Sequence, residues 1–213
     1  MGTAPRKSAI GPALFRSAGE RGGERTRKRE ALLLAAVRMF NERGFHATSL
    51  DDVAASLGVT KPVIYHYLGN KDQVLFECVR IGLANLRDAA EAAREREGSG
   101  LDRLKIFLRA YAEANMSDFS RCVIRTGDEA LSPESRKQFR ALKSEIDAAF
   151  RSMIAEAAGD GSASVDDVWL TAFTFAGALN WPARWYRTDG KRSDTDIATQ
   201  MVDLLVSGIA PKN

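Results

Sequence analysis

Residues 49–68 read Ser49-Leu50-Asp51-Asp52-Val53-Ala54-Ala55-Ser56-Leu57-Gly58-Val59-Thr60-Lys61-Pro62-Val63-Ile64-Tyr65-His66-Tyr67-Leu68. Leu50, Val53, Ala54 and Leu57 recur at the spacing of one helix face. Thr48 or Ser49 offers an N-cap, and Asp51 and Asp52 suit the positive end of a helix. Gly58 stops that helix. Thr60 caps a second one, with Pro62 in its first turn, where a missing N–H costs nothing. The Leu68-Gly69-Asn70 turn breaks it. The stretch is therefore two short helices about a glycine turn, the second polar on its outer side.

The flanks extend this pattern. Between Glu24 and Arg43, Leu33, Ala36, Val37 and Phe40 fall at i, i+3, i+4 and i+7, an amphipathic helix that Gly44 ends. Residues 1–24, rich in Gly, Ala, Pro, Ser and Arg, read as a disordered basic arm. Downstream, Lys71 and Asp72 open a long helix reaching about Glu97. Gly98-Ser99-Gly100 is a linker. A helix from Leu101 to about Arg121 carries Leu104, Phe107, Leu108 and Tyr111 in phase. Ser132 and Pro133 start another, with Phe139, Leu142, Ile146, Ala149, Phe150 and Met153 on one face. A nearly charge-free helix spans about 165–187, and a last one about 195–209 carries Ile197, Met201, Leu204 and Leu205. No run alternates at period two long enough for a sheet. The fold expected is all-α with about nine helices: a three-helix unit over 25–71 and a helical body over 72–213.

Composition bounds the function. The net charge of the 213 residues is +3, but residues 1–70 hold 11 Lys+Arg against 6 Asp+Glu, so the positive excess lies at one end. A basic module on a neutral or acidic body suits a polyanionic partner. The longest uncharged stretch, Val168–Ala183, is 16 residues, too short for a membrane-spanning helix of about 20. Two cysteines, Cys78 and Cys122, make no disulfide scaffold, and a thiol switch between them needs a proximity that the sequence does not show. The start of the chain lacks a secretory pattern, so a cytoplasmic location is expected. Both histidines lie at 46 and 66, no cluster has metal-ligand spacing, and no glycine-rich phosphate loop follows a strand. No metal, cofactor or enzymatic activity is expected.

Two short helices about a tight turn can seat the second in the major groove, about 12 Å wide, while the first crosses the backbone. Groove-facing side chains must donate to phosphates and base edges, and Thr60, Lys61, Tyr65 and His66 supply such groups. Lys71, at a helix start, suits a phosphate. The run Phe40-Asn41-Glu42-Arg43-Gly44-Phe45-His46-Ala47-Thr48-Ser49, then Val53-Ala54, Gly58-Val59-Thr60-Lys61-Pro62, Tyr65-His66-Tyr67 and Lys71, resembles the TetR family of transcriptional regulators over about residues 26–77. That family usually has Phe at the position of Tyr67. The resemblance implies a homodimer of about nine helices per chain that binds double-stranded operator DNA through Thr48, Ser49, Thr60, Lys61, Pro62, Tyr65, His66 and Lys71, with a divergent ligand-binding body.

A second constellation is Leu179-Asn180-Trp181-Pro182-Ala183-Arg184-Trp185-Tyr186-Arg187-Thr188-Asp189-Gly190. Trp181, Arg184 and Trp185, at i, i+3 and i+4, present two indoles and a guanidinium on one face. This face suits a dimer interface or a pocket mouth. The segment is similar to a stretch in TetR-like regulators of fatty-acid and steroid breakdown that answer to acyl-CoA thioesters. Together with Phe107, Tyr111, Phe119, Arg125 and Phe175, these three residues are the candidate ligand site. The effector implied is a small hydrophobic molecule such as an acyl-CoA, with Arg184 and Arg187 on its phosphates. A multidrug-sensing repressor is an alternative, as is a helical binding or catalytic protein with no DNA role. Ala172, Phe173, Ala176, Gly177, Leu204 and Leu205 suit a four-helix dimer interface.

Overall fold

A computed structural model describes residues 21–211, with side chains from residue 23. The helices are α1 (Arg21–Arg43), α2 (Leu50–Leu57), α3 (Lys61–Leu68), α4 (Lys71–Arg94), α5 (Gly100–Met116), α6 (Asp118–Thr126), α7 (Pro133–Gly159), α8 (Val168–Asn180), α9 (Pro182–Trp185) and α10 (Asp194–Ser207), with a 3-10 turn at Asp128–Ala130. No strand occurs among the described residues. The arm expected over 1–24 lies outside them up to residue 20, and residues 21–24 already belong to α1.

The chain divides into two units, Met1–Val74 and Leu75–Asn213. In the first, Leu33, Val37, Phe40, Phe45, Leu50, Val53 and Ile64 form the core. Phe40 and Phe45 meet edge to face at 5.1 Å. Ser49 caps α2: its hydroxyl accepts from the Asp52 N–H, while the Asp52 carboxylate accepts from the Ser49 N–H at 2.8 Å. Those Ser49 bonds hold the exposed Asp52 carboxyl below its ordinary range. Gly58 adopts the left-handed conformation, φ 65°, that the turn into α3 requires.

In the second unit α5 is the central helix, packing against α7, α8 and α10. Phe107, Leu104, Leu108, Ile154 and Leu179 are fully buried there. The Phe107 and Phe150 rings meet edge to face at 5.4 Å. Gly100 lets α5 begin against the backbone of α7, since a Cβ at that position would lie 2.6 Å from Ala157 Cα. The first N–H groups of α5 are satisfied across the same junction: Gly100 donates to the Asp160 carboxylate, and Leu101 donates to Ser162 Oγ at 2.9 Å.

Two expected helices are interrupted. The one over 101–121 stops at Met116, and Ser117 caps a separate α6, accepting from the Ser120 N–H. The one over 165–187 stops at Asn180, because Pro182 has no N–H to donate to Ala178; the chain resumes as the single turn α9.

Candidate nucleic-acid interface and a cavity in the body

On α3, Ile64 and Leu68 point into the core of the first unit, and Val63 and Tyr67 are half-buried. Lys61, Pro62, Tyr65 and His66 are exposed, at i, i+1, i+4 and i+5, a single outward stripe. Tyr65 is 48% exposed. Thr60, just ahead of the helix, is exposed and makes no side-chain cap bond. The Lys61 ammonium pairs with Asp51 Oδ2 at 2.6 Å, which fixes the side chain between α2 and α3 and raises its pKa. His66 packs edge to face on Tyr67, ring centroids 5.1 Å apart.

Two of the expected DNA contacts have partners within the protein. Thr48 is buried, and its hydroxyl donates to the Gly44 carbonyl at 2.9 Å. It ties the turn between α1 and α2 and does not face outward. Lys71 donates to the Phe45 carbonyl, with its ammonium 4.3 Å from the Phe45 ring centroid and 5.7 Å from that of Phe40. Burial holds its pKa below the ordinary lysine range. Its first role is thus to staple the start of α4 onto the loop before α2. Ser49 is exposed and engaged in its capping box. The structure adds a residue that the sequence reading missed. Arg25, on the first turns of α1, lines a shallow groove with His66 and Tyr67. The signal was the basic run of α1, read as helix without a partner.

The body carries an apolar pocket of about 100 Å³, partly open to solvent, bounded by α4, α5, α6 and α7. Val79, Leu83, Leu86, Val123, Ile124, Phe139 and Ile146 supply hydrocarbon walls. Tyr111, Asn115 and Asn180 supply a polar cluster. Tyr111 O–H donates to Asn180 Oδ1 at 3.0 Å, and Asn115 Nδ2 donates to the same oxygen at 2.8 Å. Burial raises the Tyr111 pKa, so the phenol stays a neutral donor. A second pocket, about 180 Å³, lies between α7 and α8 and shares Tyr111, Lys143, Asp147 and Asn180 with the first. Lys143 pairs with Asp147 one helical turn on, at 3.7 Å.

Of the ligand residues expected from sequence, only Tyr111 lines these cavities. Phe107 and Phe175 are buried in the core, because their positions on α5 and α8 face neighbouring helices. Phe119 is half-buried and Arg125 is exposed on α6, and neither reaches a cavity wall. Trp181, Arg184 and Trp185 are all exposed and lie outside both cavities, because the chain breaks at Pro182 and swings them outward. Arg187 holds Asp189 through two parallel bonds of 3.0 Å. Ala172, expected at a dimer face, is buried within the chain. Asn115 and Asn180 were missed. A polar residue in phase with Leu104, Leu108 and Tyr111 was the available signal for Asn115.

Among the described residues, no group of three or more metal-ligating side chains exists, and no helix is long and apolar enough to cross a membrane.

A helix-turn-helix unit with an outward polar stripe, followed by a helical body with an internal cavity, defines a DNA-binding regulator. Residues 32–78 match the family described as bacterial regulatory proteins, tetR family, and residues 97–209 match the tetracyclin repressor-like C-terminal domain. The chain belongs to the TetR family of transcriptional regulators and not to an enzyme family. It is 32% identical, over 91% of its length and 96% of the relative's, to the HTH-type transcriptional repressor KstR2 of Rhodococcus jostii (strain RHA1). The TetR family regulator PfmR of Thermus thermophilus superposes with a TM-score of 0.75 at 30% identity, covering 83% of this chain and 97% of that one. AibR, solved in complex with isovaleryl coenzyme A and operator DNA, superposes with a TM-score of 0.69 at 26% identity, covering 84% of this chain and 98% of that one.

Proposed function

We propose that the protein is a homodimeric repressor that leaves its operator when a hydrophobic acyl-CoA thioester enters the body. The observation that carries this reading is the path of α4. The helix starts at Lys71, stapled to the helix-turn-helix unit, and its residues Cys78 to Leu86 line the apolar cavity. A ligand that fits one position of α4 better than another shifts the population of DNA-competent molecules. Ligand and DNA then weaken each other by the same factor. The name of KstR2 as a repressor and the acyl-CoA in the AibR complex support the direction and the ligand class.

The dimer reading rests on an apolar stripe. Leu170, Gly177 and Trp181 recur along one exposed face of α8 and just beyond it, with Leu170 57% and Trp181 61% exposed; on α10, Leu204 is 73% exposed. A twofold dimer offers two α3 helices to an operator whose half-sites lie in successive major grooves, about 34–36 Å apart. Light scattering at micromolar concentration should give the mass of two chains.

The test of the whole reading is fluorescence anisotropy on an operator selected from random DNA. Operator binding should exceed random-DNA binding and fall steeply with salt. Isovaleryl-, octanoyl- and palmitoyl-CoA should be compared with the free acids as releasing agents. Release by no CoA thioester, or equal release by the free acids, would reject the acyl-CoA effector.

A further inference from the structure

Tyr111, Asn180, Lys143 and Asp147 line both pockets of the body, and this shared lining is termed the neck. On one side the walls are hydrocarbon. On the other, α7 contributes Lys143 and Arg151, two turns apart on the same face, opposite α8. The amide of Asn180 is held at the neck in one orientation. Its oxygen accepts from both Tyr111 and Asn115, so its two N–H donors point away from that pair. Neither N–H is needed for those two bonds. Asn115 is 3% exposed and fixed by a second bond to the Leu179 carbonyl, so this orientation is built into the core.

An amide donor in a lining it shares with hydrocarbon walls suits an uncharged acceptor such as a carbonyl oxygen. We propose that the neck reads the effector's carbonyl: Asn180 Nδ2 donates to the thioester oxygen, the hydrocarbon fills the cavity between α4 and α6, and the anionic part leaves past Lys143 and Arg151. This rests on the acyl-CoA reading above and adds to it an orientation and a reason for preferring esters over alkyl chains. Among the described residues Asp147 is the one carboxylate at the neck, and Lys143 faces it at 3.7 Å. The neck is therefore not a bare anionic site for a cationic drug.

The test needs no mutant at first. The most effective CoA thioester of the panel is compared with the CoA thioether of the same carbon skeleton, which keeps the chain and the phosphates and lacks only the carbonyl. Half-release of operator should require about tenfold more thioether, the usual effect of leaving one polar group without its partner. Asn180→Asp keeps an oxygen for Tyr111 and Asn115 but removes the donor, and it should abolish that preference. Arg151→Gln should narrow the advantage of the CoA thioester over the matching N-acetylcysteamine thioester, which carries no phosphate. Equal potency of thioester and thioether on the wild-type protein overturns the carbonyl site while leaving an acyl-CoA regulator intact. Failure of every CoA thioester to release operator overturns both.

Discussion

The two units of this chain use short and long helices for opposite tasks. In residues 1–74 the proposed DNA-reading surface is the outside of an eight-residue helix whose inner face, Ile64 and Leu68, is core. In residues 75–213 the proposed effector site is a pocket whose walls include core residues such as Val79, Leu86 and Ile146. The difference separates binding from stability in one unit and fuses them in the other. An outward side chain such as His66 can be changed without a cavity or an unpaired group. A wall residue such as Ile146 cannot. A regulator built this way keeps its operator reading adjustable and its effector pocket tied to the fold.

Core substitutions should give the largest effects. Phe107→Ala removes a fully buried ring that packs on Tyr111 and Phe150, and it should cost about 4 kcal/mol in urea unfolding. Gly100→Ala should cost about 3 kcal/mol, because its Cβ meets the α7 backbone and not a movable side chain. A Gly100→Ala protein as stable as wild type would show that the α5–α7 junction can open without loss.

The outward stripe should behave in the reverse way. His66→Ala should leave the unfolding midpoint unchanged and weaken operator binding about tenfold, with less effect on random DNA, since base contacts discriminate by about 1–3 kcal/mol. A shift of the midpoint without loss of operator preference would place His66 with the structural residues. Smaller again is Gly58→Ala. Nothing lies within 4 Å of the added Cβ, so only the left-handed backbone, φ 65°, opposes it. That strain is about 1 kcal/mol. The same Gly→Ala change thus tests packing in the body and backbone conformation in the turn.

The contrast also explains what could be read from the amino acids. The stripe on α3 was legible because i, i+1, i+4 and i+5 on one short helix fix which side chains share a face. The bonds of Thr48 and Lys71 were not legible because their partners, the carbonyls of Gly44 and Phe45, are backbone groups that no side-chain pattern reveals. In the body, periodicity located the apolar faces but not their neighbours. Phe107 and Tyr111 share a face of α5, yet only Tyr111 reaches the cavity. The aromatic–arginine run at 181–187 reads as a pocket only on a continuous helix. Pro182 ends α8 one residue too early for that.

The smallest expected signal separates the two units directly. The chain's thiols are Cys78 and Cys122, both in the second unit, so alkylation reports opening of the body alone. Both are buried, one on α4 and one on α6, and close enough to perturb each other's titration, a proximity that spacing in sequence gave no means to foresee. Interaction with Cys122, then burial, pushes the Cys78 thiol above its ordinary range, while the same interaction draws Cys122 below it. The thiolate is the nucleophile, and burial also denies the reagent access. Iodoacetamide near neutral pH should therefore label the native protein far more slowly than the same protein in urea. Gly100→Ala should speed labelling by loosening the body. Ile64→Ala, which empties the core of the first unit at a cost of about 3 kcal/mol, should leave the rate unchanged if the two units open separately. Faster labelling in Ile64→Ala would break the comparison. It would mean that melting the helix-turn-helix loosens α4 along its length, and that the first unit and the cavity share one cooperative transition.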